Sequence, residues 1–136
     1  MKTVKNTKPK VLDFDFLEAV RIENKMLTTT EQLTQTEIEF LKGHAECGSP
    51  LGEFDYGLYY FIYKRDEKTA EEWWNKFFYH SNGPALWKAS GIFAYLGDEY
   101  YEWSMKCLRR SAWRQFPIAK RMLKAMEKNP YHFPEA

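Results

Sequence analysis

The residue types best suited to chemistry are few in this chain of 136 residues, and their spacing forms no catalytic pattern. The three histidines, His44, His80 and His132, each lie near a predicted helix end or in the C-terminal tail. A zinc-hydrolase helix needs two histidines and a glutamate at fixed spacing, and no such motif is present. No glycine-rich phosphate loop and no serine nucleophile elbow occurs either. The sequence therefore predicts no enzyme, no metal ligand and no cofactor.

The two cysteines are predicted to be chemically inert. Cys107 falls on the apolar face of a predicted helix, where a free cysteine usually packs as a small core residue. Cys47 lies at a predicted helix end, and neither cysteine has the close His or Cys partners of a metal site. Two cysteines make no disulfide framework. No apolar run of signal-peptide or membrane-spanning length occurs, so the expected location is cytoplasmic.

Neighbouring carboxylates could serve as an acid and a base, but their positions argue against it. Glu71 and Glu72 are adjacent on a predicted helix, as are Asp98 and Glu99 at the start of another. Adjacent helical residues point to different faces, so neither pair converges on one substrate. Acidic residues also favour the first turn of a helix. We interpret these pairs as helix starts and solvated faces.

The strongest charge pattern is a basic run at residues 106–124 that contains no acidic residue. Its members are Lys106, Arg109, Arg110, Arg114, Lys120, Arg121 and Lys124. Trp113 and Phe116 lie between them, and basic residues interleaved with aromatics can bind phosphates and stack bases. Three interpretations stay open: a solvated face of two helices, a surface for an acidic protein, or a nucleic-acid site. The net charge of only +1 gives no overall field that attracts nucleic acid.

The chain repeats a pattern of residues with a period of 34. The matching positions are Pro50 with Pro84, Gly57 with Gly91, and Ala70 with Ser104. A fixed period of this size is typical of an array of helical pairs. Each pair buries its apolar face against the next pair. The repeat therefore organises the middle of the chain.

Apolar spacing and capping residues predict seven helices. Thr36 followed by Glu39 matches a capping box at the start of the second helix. Asp66 is expected to cap the fourth. The third helix carries two apolar stripes, which predicts burial on both sides. Gly57 and Gly91 lie inside helices, where glycine is unfavourable, so a packing reason is expected at both.

Residues 66–74 resemble the second helix of a Sel-one-like repeat, a relative of the tetratricopeptide repeats. The resemblance rests on Asp66, on Ala70 four residues later, and on Trp73 and Trp74 beyond it. The first helix of that family carries a small residue, a Leu-Gly pair and a later Tyr. Its counterparts are Gly52, Tyr56, Gly57 and Tyr60. The second copy keeps Gly91, the loop and the spacing, but has Tyr100 where the Asp would fall.

The resemblance implies an all-α fold, a short right-handed α-solenoid of antiparallel helix pairs with about seven helices. We expect a flexible N-terminal arm at 1–12 and a C-terminal tail at 129–136. Between them, 13–128 is predicted to be a single helical-repeat domain. It divides into a degenerate leading pair at 13–49, repeats at 50–83 and 84–116, and a terminal helix at 117–128.

The resemblance also implies a protein-protein interaction module, either an adaptor or an inhibitor of the immunity-protein kind. The partner would lie in the concave groove and along the adjoining basic edge. The predicted contact residues are Tyr59, Tyr63, Trp87, Lys88, Tyr95, Arg109, Arg110 and Arg114. The aromatic members exceed the core needs of the repeat and are of types favoured in binding hot spots. They are equally compatible with extra core packing, and the alternative function is nucleic-acid binding through residues 106–124.

Overall fold

All regular secondary structure in the described part of the chain is helical. A computed structural model describes residues 3–128, and the side chains of residues 16–128. The helices are α1 (Thr3–Thr28), α2 (Gln35–Glu46), α3 (Pro50–Tyr59), α4 (Glu67–His80), α5 (Gly83–Leu96), α6 (Tyr101–Trp113) and α7 (Pro117–Lys128). A π-helical segment, Tyr60–Lys64, follows α3, and a short 3-10 helix, Asp98–Tyr100, precedes α6. Residues 3–128 contain no strand, so the predicted all-α class with seven helices is confirmed.

The chain divides into two compact units, Met1–Phe77 and Phe78–Ala136. The first unit holds α1 to α3 and most of α4, and the second holds α5 to α7 with the end of α4. The single domain predicted for 13–128 stays a prediction. The predicted tail at 129–136 lies outside the described residues.

Helix α1 begins at Thr3, well before the start predicted near Asp13. Residues 3–12, predicted as a flexible arm, therefore belong to this helix. Lysine and leucine are good helix formers, and a proline such as Pro9 removes one backbone hydrogen bond without always ending a helix. Farther along, Ile22 and Met26 are buried four residues apart on one face of α1.

The start of α2 uses a different capping box from the predicted one. Thr34, not Thr36, is the N-cap: its hydroxyl accepts a hydrogen bond from the Glu37 N–H, 3.1 Å away. The Glu37 carboxylate accepts from the Thr34 N–H at 2.8 Å. Lys25 and Arg21 of α1 also bind this carboxylate, at 2.9 and 2.8 Å. These contacts with another helix select Glu37 over the exposed Glu39.

Helix α3 is buried along all but its first two residues, as its two apolar stripes predicted. Every residue from 52 to 59 is buried. The helix then widens into the π-helical segment, which ends at Arg65 with a left-handed backbone (φ 56°). No periodicity in the sequence indicated this segment. Such segments are rare, so only the structure could locate it.

Helices α3 and α4 pack antiparallel within the first unit. The Trp74 indole donates a hydrogen bond to the Phe54 carbonyl oxygen at 3.3 Å, and the Phe54 and Phe77 rings lie 5.1 Å apart. The prediction that Asp66 caps α4 is confirmed, because its carboxylate accepts a hydrogen bond from the Thr69 N–H at 3.1 Å. The cap fixes where α4 turns back along α3.

Helices α5 and α6 form the matching antiparallel pair of the second unit. The Ser111 hydroxyl donates to the Gly83 carbonyl oxygen at 2.7 Å, at one end of the pair. Near the other end, the Phe93 and Trp103 rings stack 5.4 Å apart. Helix α7 packs on α6 through a small core. Its buried members are Met105, Leu108 and Ala119.

None of the helices in the described part of the chain combines the length and the apolar character needed to cross a membrane.

Candidate functional site

A groove opens among α5, α6 and α7 in the second unit. Its volume is about 380 Å³, within the range of cavities that take ligands. The residues that line it are Trp87, Lys88, Ser90, Gly91, Ala94, Ser104 and Met122. Trp87 and Met122 supply large apolar surface, and Ser90, Gly91 and Ala94 keep the α5 side shallow. Lys88 is the one charged residue in this lining.

The two serines of the groove hydrogen-bond to each other. The Ser104 hydroxyl donates to the Ser90 carbonyl oxygen at 2.8 Å, and the two hydroxyl oxygens lie 3.2 Å apart. A serine has a single O–H donor, so the Ser90 hydroxyl must be the donor of the second bond. Both donors are then used inside the protein. The groove offers a ligand apolar contact more than hydrogen bonding.

The two glycines that mark the repeat have opposite surroundings. A methyl group on Gly57 would lie 2.5 Å from the Trp74 indole nitrogen, so Gly57 allows α3 and α4 to approach closely. A methyl group on Gly91 would meet nothing within 4 Å. The packing reason predicted for glycine is confirmed at Gly57 and wrong at Gly91. The space at Gly91 is part of the groove instead.

Trp87 is held in place by the α6–α7 core. Its ring lies 6.2 Å from the Phe116 ring, and it packs against the buried cluster of Met105, Leu108 and Ala119. Packing within the second unit therefore fixes the groove wall at Trp87. Because of this double role, removing the Trp87 side chain is expected to weaken the core as well as the groove wall.

A second feature of this unit is a row of cations alternating with aromatic rings along α6 and its C-cap residue, Arg114. Lys106, Arg110 and Arg114 are spaced four residues apart, so they share one helix face about 6 Å apart along the axis. We call these three cations and the aromatic rings that they contact the cation-aromatic ladder. The rings are Phe78, Tyr79, Trp103 and Trp113.

The ladder has short cation-to-ring distances throughout. The Lys106 ammonium lies 4.6 Å from the Trp103 ring centre and 4.8 Å from that of Phe78. The Arg110 guanidinium lies 4.8 Å from the Trp113 ring and 5.1 Å from Phe78. Distances under about 6 Å are attractive, because the ring face is negative. The rings therefore hold the cations in defined positions.

Two guanidinium groups of the ladder share one acceptor. Arg110 and Arg114 each donate to the Tyr79 carbonyl oxygen, at 3.2 and 3.3 Å. Their donor nitrogens are thus no farther apart than the sum of these distances. At about 6 Å, two like charges repel by roughly 0.7 kcal/mol in water and ~3 kcal/mol at the effective dielectric of a protein surface. Within the described residues, no ion pair compensates either charge.

The corner after α6 holds a non-glycine residue in a left-handed conformation. Gln115 has φ 70°, and the Phe116 N–H and Gln115 N–H bond back to the Ser111 and Ala112 carbonyls, as in a Schellman motif. Helix α2 ends in the same motif with a glycine, Gly48, at φ 90°. The Gln115 side chain, which a glycine would lack, accepts from the Lys120 ammonium at 2.7 Å.

The structure brings together some of the predicted site residues. Trp87 and Lys88 line the groove, and Arg110 and Arg114 meet at one carbonyl oxygen. Arg109 is exposed and takes no part in the ladder within the described residues. Exposed Tyr95 is not among the groove residues.

The other two predicted contact residues lie in the first unit. Tyr59 is buried and stacks on Tyr56 with the ring centres 5.9 Å apart. The Tyr63 ring contacts Tyr59, and its hydroxyl donates to the Glu31 carbonyl oxygen at 2.8 Å. These contacts favour the alternative interpretation of both tyrosines, as packing residues of that unit.

Sequence reasoning missed several residues of both features. Ser90, Gly91 and Ala94 form a stripe of small residues on α5, a sequence pattern that favours close helix packing and not open space. Phe78 and Tyr79 lie near the C-terminal end of α4. Their contacts with α6 join residues about thirty positions apart, and no local pattern reveals such pairs.

The remaining candidates for chemistry are separated or shielded. No group of three or more His, Cys, Asp or Glu side chains that could hold a metal was found among the described residues. Cys107 is buried, and burial raises the pKa of its thiol to about 12, against a small opposing effect of Lys106. The prediction that Cys107 is a buried core residue is confirmed. Cys47 is exposed.

Comparisons with family models, with curated proteins and with solved structures gave no match to this chain.

Proposed function

We propose that this chain is a protein-binding module that holds a segment of another protein in the second-unit groove. The observation that carries the proposal is the groove itself, with an apolar wall at Trp87 and open space over Gly91. Both of its serine hydroxyls already donate within the Ser90–Ser104 pair, and Lys88 is its one charged lining residue. This inventory suits binding better than catalysis, which needs titratable groups positioned around a reacting atom.

The expected occupant is a peptide segment with a large apolar side chain. A groove of about 380 Å³ accommodates a few side chains, not a folded domain. Trp87 is of a residue type that often dominates binding energy when it forms part of a packed pocket. Because the core fixes its ring, little side-chain entropy is lost on binding.

We further propose that the helices form a short right-handed solenoid of the Sel-one-like type, acting as an adaptor or as an inhibitor of the immunity-protein kind. The 34-residue period supports this proposal, as do the Asp66 cap and the antiparallel pairs α3–α4 and α5–α6. In such arrays the first helices of successive pairs line the binding surface, and α5 and α7 would be those helices here.

The test begins with a selection of peptides from a random display library on the purified protein. Selected peptides are then titrated against the wild type and Gly91→Leu. The added side chain enters the groove without meeting any atom near its Cβ, so binding should weaken about tenfold or more while the thermal midpoint stays unchanged or rises.

Gly43→Leu is the matched control for this experiment. Gly43 is also helical and exposed, and a methyl group on it would meet nothing within 4 Å, but it lies in α2, outside the groove. The control should bind as the wild type does. Equal binding by Gly91→Leu and the wild type, with the fold intact, would exclude the groove as the binding site.

A second candidate function is nucleic-acid binding through residues 106–124. The observation that favours it is the charge of the second unit, which has nine Lys and Arg against five Asp and Glu, a net +4. Binding through phosphates predicts that the logarithm of affinity falls linearly with the logarithm of salt concentration. An apolar segment in the groove predicts a weak salt dependence.

A further inference from the structure

Resting on the proposed protein-binding function, we propose that the cation-aromatic ladder of α6 binds an acidic segment of the partner through its carboxylates. The ladder presents three positive charges on one helix face with a regular rise of about 6 Å. An extended peptide repeats its side chains on one face every two residues, about 6.6 Å apart. A segment with an acidic residue at every second position therefore matches the spacing.

The two guanidinium groups of the ladder are preorganised to bind an anion. Arg110 and Arg114 are brought together at the Tyr79 carbonyl oxygen, and both lie over the Trp113 ring. Each uses one terminal nitrogen for that oxygen, which leaves further guanidinium donors. A carboxylate placed between them would relieve their repulsion and accept charge-assisted hydrogen bonds from both.

The corner beside the ladder supports the same interpretation. Gln115 keeps a left-handed backbone that a glycine would adopt at lower cost, as Gly48 does at the end of α2. Its side chain bonds the Lys120 ammonium at 2.7 Å and the Trp113 carbonyl oxygen at 3.3 Å. The unfavourable residue thus secures a further cation close to the ladder.

A carboxylate ligand fits the ladder better than a nucleic acid does. Single-stranded nucleic acids bind where aromatic rings offer their faces to bases. Trp113 has two guanidinium groups over its ring, at 4.8 and 5.7 Å, so its ring is engaged with cations. The chain as a whole carries only +1, which gives little long-range attraction for a polyanion.

The experiment uses the full chain and a short peptide of alternating Ser and Glu, observed by NMR at low salt. We expect the Trp113 indole and the Arg110 and Arg114 side-chain signals to shift on titration. The double variant Arg110→Gln with Arg114→Gln should weaken peptide affinity about tenfold or more, since hydrogen bonds to charged groups are lost. A peptide of alternating Ser and Gln should not bind.

The matched control is the double variant Arg109→Gln with Arg121→Gln. It removes the same charge from exposed positions of the same basic run, but leaves the ladder intact. Its affinity should stay within about twofold of the wild type, because exposed charges act weakly at a distance. If the ladder double variant unfolds, the single Arg114→Gln, at an exposed position, gives the same comparison with Arg109→Gln.

Three results would overturn the proposal. Equal losses in both double variants would mean that only overall charge matters. Tighter binding of oligothymidine than of the Glu peptide, with loss in the ladder variant, would assign the ladder to nucleic acid. No binding of either probe would leave the ladder without a ligand. If the ladder experiment fails but Gly91→Leu weakens peptide binding as expected, only the ladder proposal is rejected and the proposed groove function stands.

Discussion

The two repeat glycines differ in what an added Cβ atom would contact. Gly57 faces Trp74, and Gly91 faces open space, although the two occupy the same position in a 34-residue period. The period therefore preserves helix placement but not the neighbours of each position. At Gly57 the absent side chain allows close packing, and at Gly91 it leaves part of the groove open.

Alanine at these two positions should change stability in opposite directions. Gly91→Ala should raise the free energy of unfolding by about 0.5–1 kcal/mol, because alanine favours the helix and meets no atom. Gly57→Ala should lower it by about 1–3 kcal/mol, because the new methyl group would lie 2.5 Å from Trp74. Urea denaturation of the three proteins measures both changes.

Gly43→Ala provides the reference for the helix-propensity part of this comparison. Gly43 has no neighbour that a methyl group would meet, so its alanine variant should gain about as much as Gly91→Ala. A loss of stability in Gly91→Ala would show that the space above this glycine is filled in solution.

At the scale of helices, the start of α2 depends on a carboxylate held by a neighbouring helix. Burial would raise the pKa of Glu37, but hydrogen bonds from Lys25, from the Thr34 backbone and from Arg21 outweigh it and lower the pKa to about 2. The same carboxylate therefore caps α2 and ties it to α1. Loss of the Glu37 carboxylate is therefore expected to destabilise both the start of α2 and its contact with α1.

This arrangement predicts a stability loss in acid. The pKa of Glu37 is lower in the folded chain than its ordinary value of 4.5, so its contribution is complete above that pH. It is lost as the pH falls from there toward about 2, and it amounts to roughly 1–3 kcal/mol. Glu37→Gln should be less stable at neutral pH and should lose less on acidification, as measured by urea denaturation across this range.

Glu39→Gln is the control for the acid experiment. Glu39 lies on the same helix but is exposed, so the variant should follow the wild type at every pH. An acid profile of Glu37→Gln that parallels the wild type would mean that the salt bridges to Arg21 and Lys25 contribute little in solution.

At the scale of the whole molecule, each unit carries one cysteine with a different environment. Cys47 of the first unit is exposed, and Cys107 of the second is buried, where burial raises the pKa of its thiol to about 12. The thiolate is the reactive form, so both burial and protonation protect Cys107. A thiol reagent should modify one cysteine rapidly in the native chain.

Denaturant should make the second thiol reactive, and mass spectrometry of digested protein identifies which cysteine is labelled. The rate at which Cys107 becomes labelled in the absence of denaturant then reports the opening of the second unit. In the Cys47→Ser variant, labelling of Cys107 can be measured without a contribution from Cys47. Rapid labelling of Cys107 in the native chain would contradict the buried position.

Periodicity and capping rules predicted much of this fold from the sequence. They placed seven helices, the cap at Asp66 and the two-sided burial of α3, because those features depend on near neighbours in the chain. They missed the capping box at Thr34 and Glu37, since an equivalent pattern two residues later fits equally well. Contacts with α1 decide between the two, and these are tertiary.

The candidate site was predicted less completely, for the same reason. The basic run was visible as a run, but the pairing of Arg110 and Arg114 depends on the Tyr79 carbonyl, far away in sequence. Trp87 and Lys88 were named as binding residues, while the open space beside Gly91 was interpreted as close packing. Local patterns locate residues, and tertiary contacts decide what surrounds them.

The mutual hydrogen bonds of Ser90 and Ser104 have a consequence for selectivity. A pocket that distinguishes ligands only by apolar fit gives affinities that differ by about 10–200-fold between ligands that differ by one methylene. A pocket whose polar groups must hydrogen-bond the ligand rejects a wrong ligand far more strongly, because those groups are then left unpaired. Because both hydroxyl donors are used in bonds between Ser90 and Ser104, the groove can tolerate many related sequences. Under the proposed function, the groove would retain a partner, and a charged surface elsewhere on the second unit would discriminate between partners.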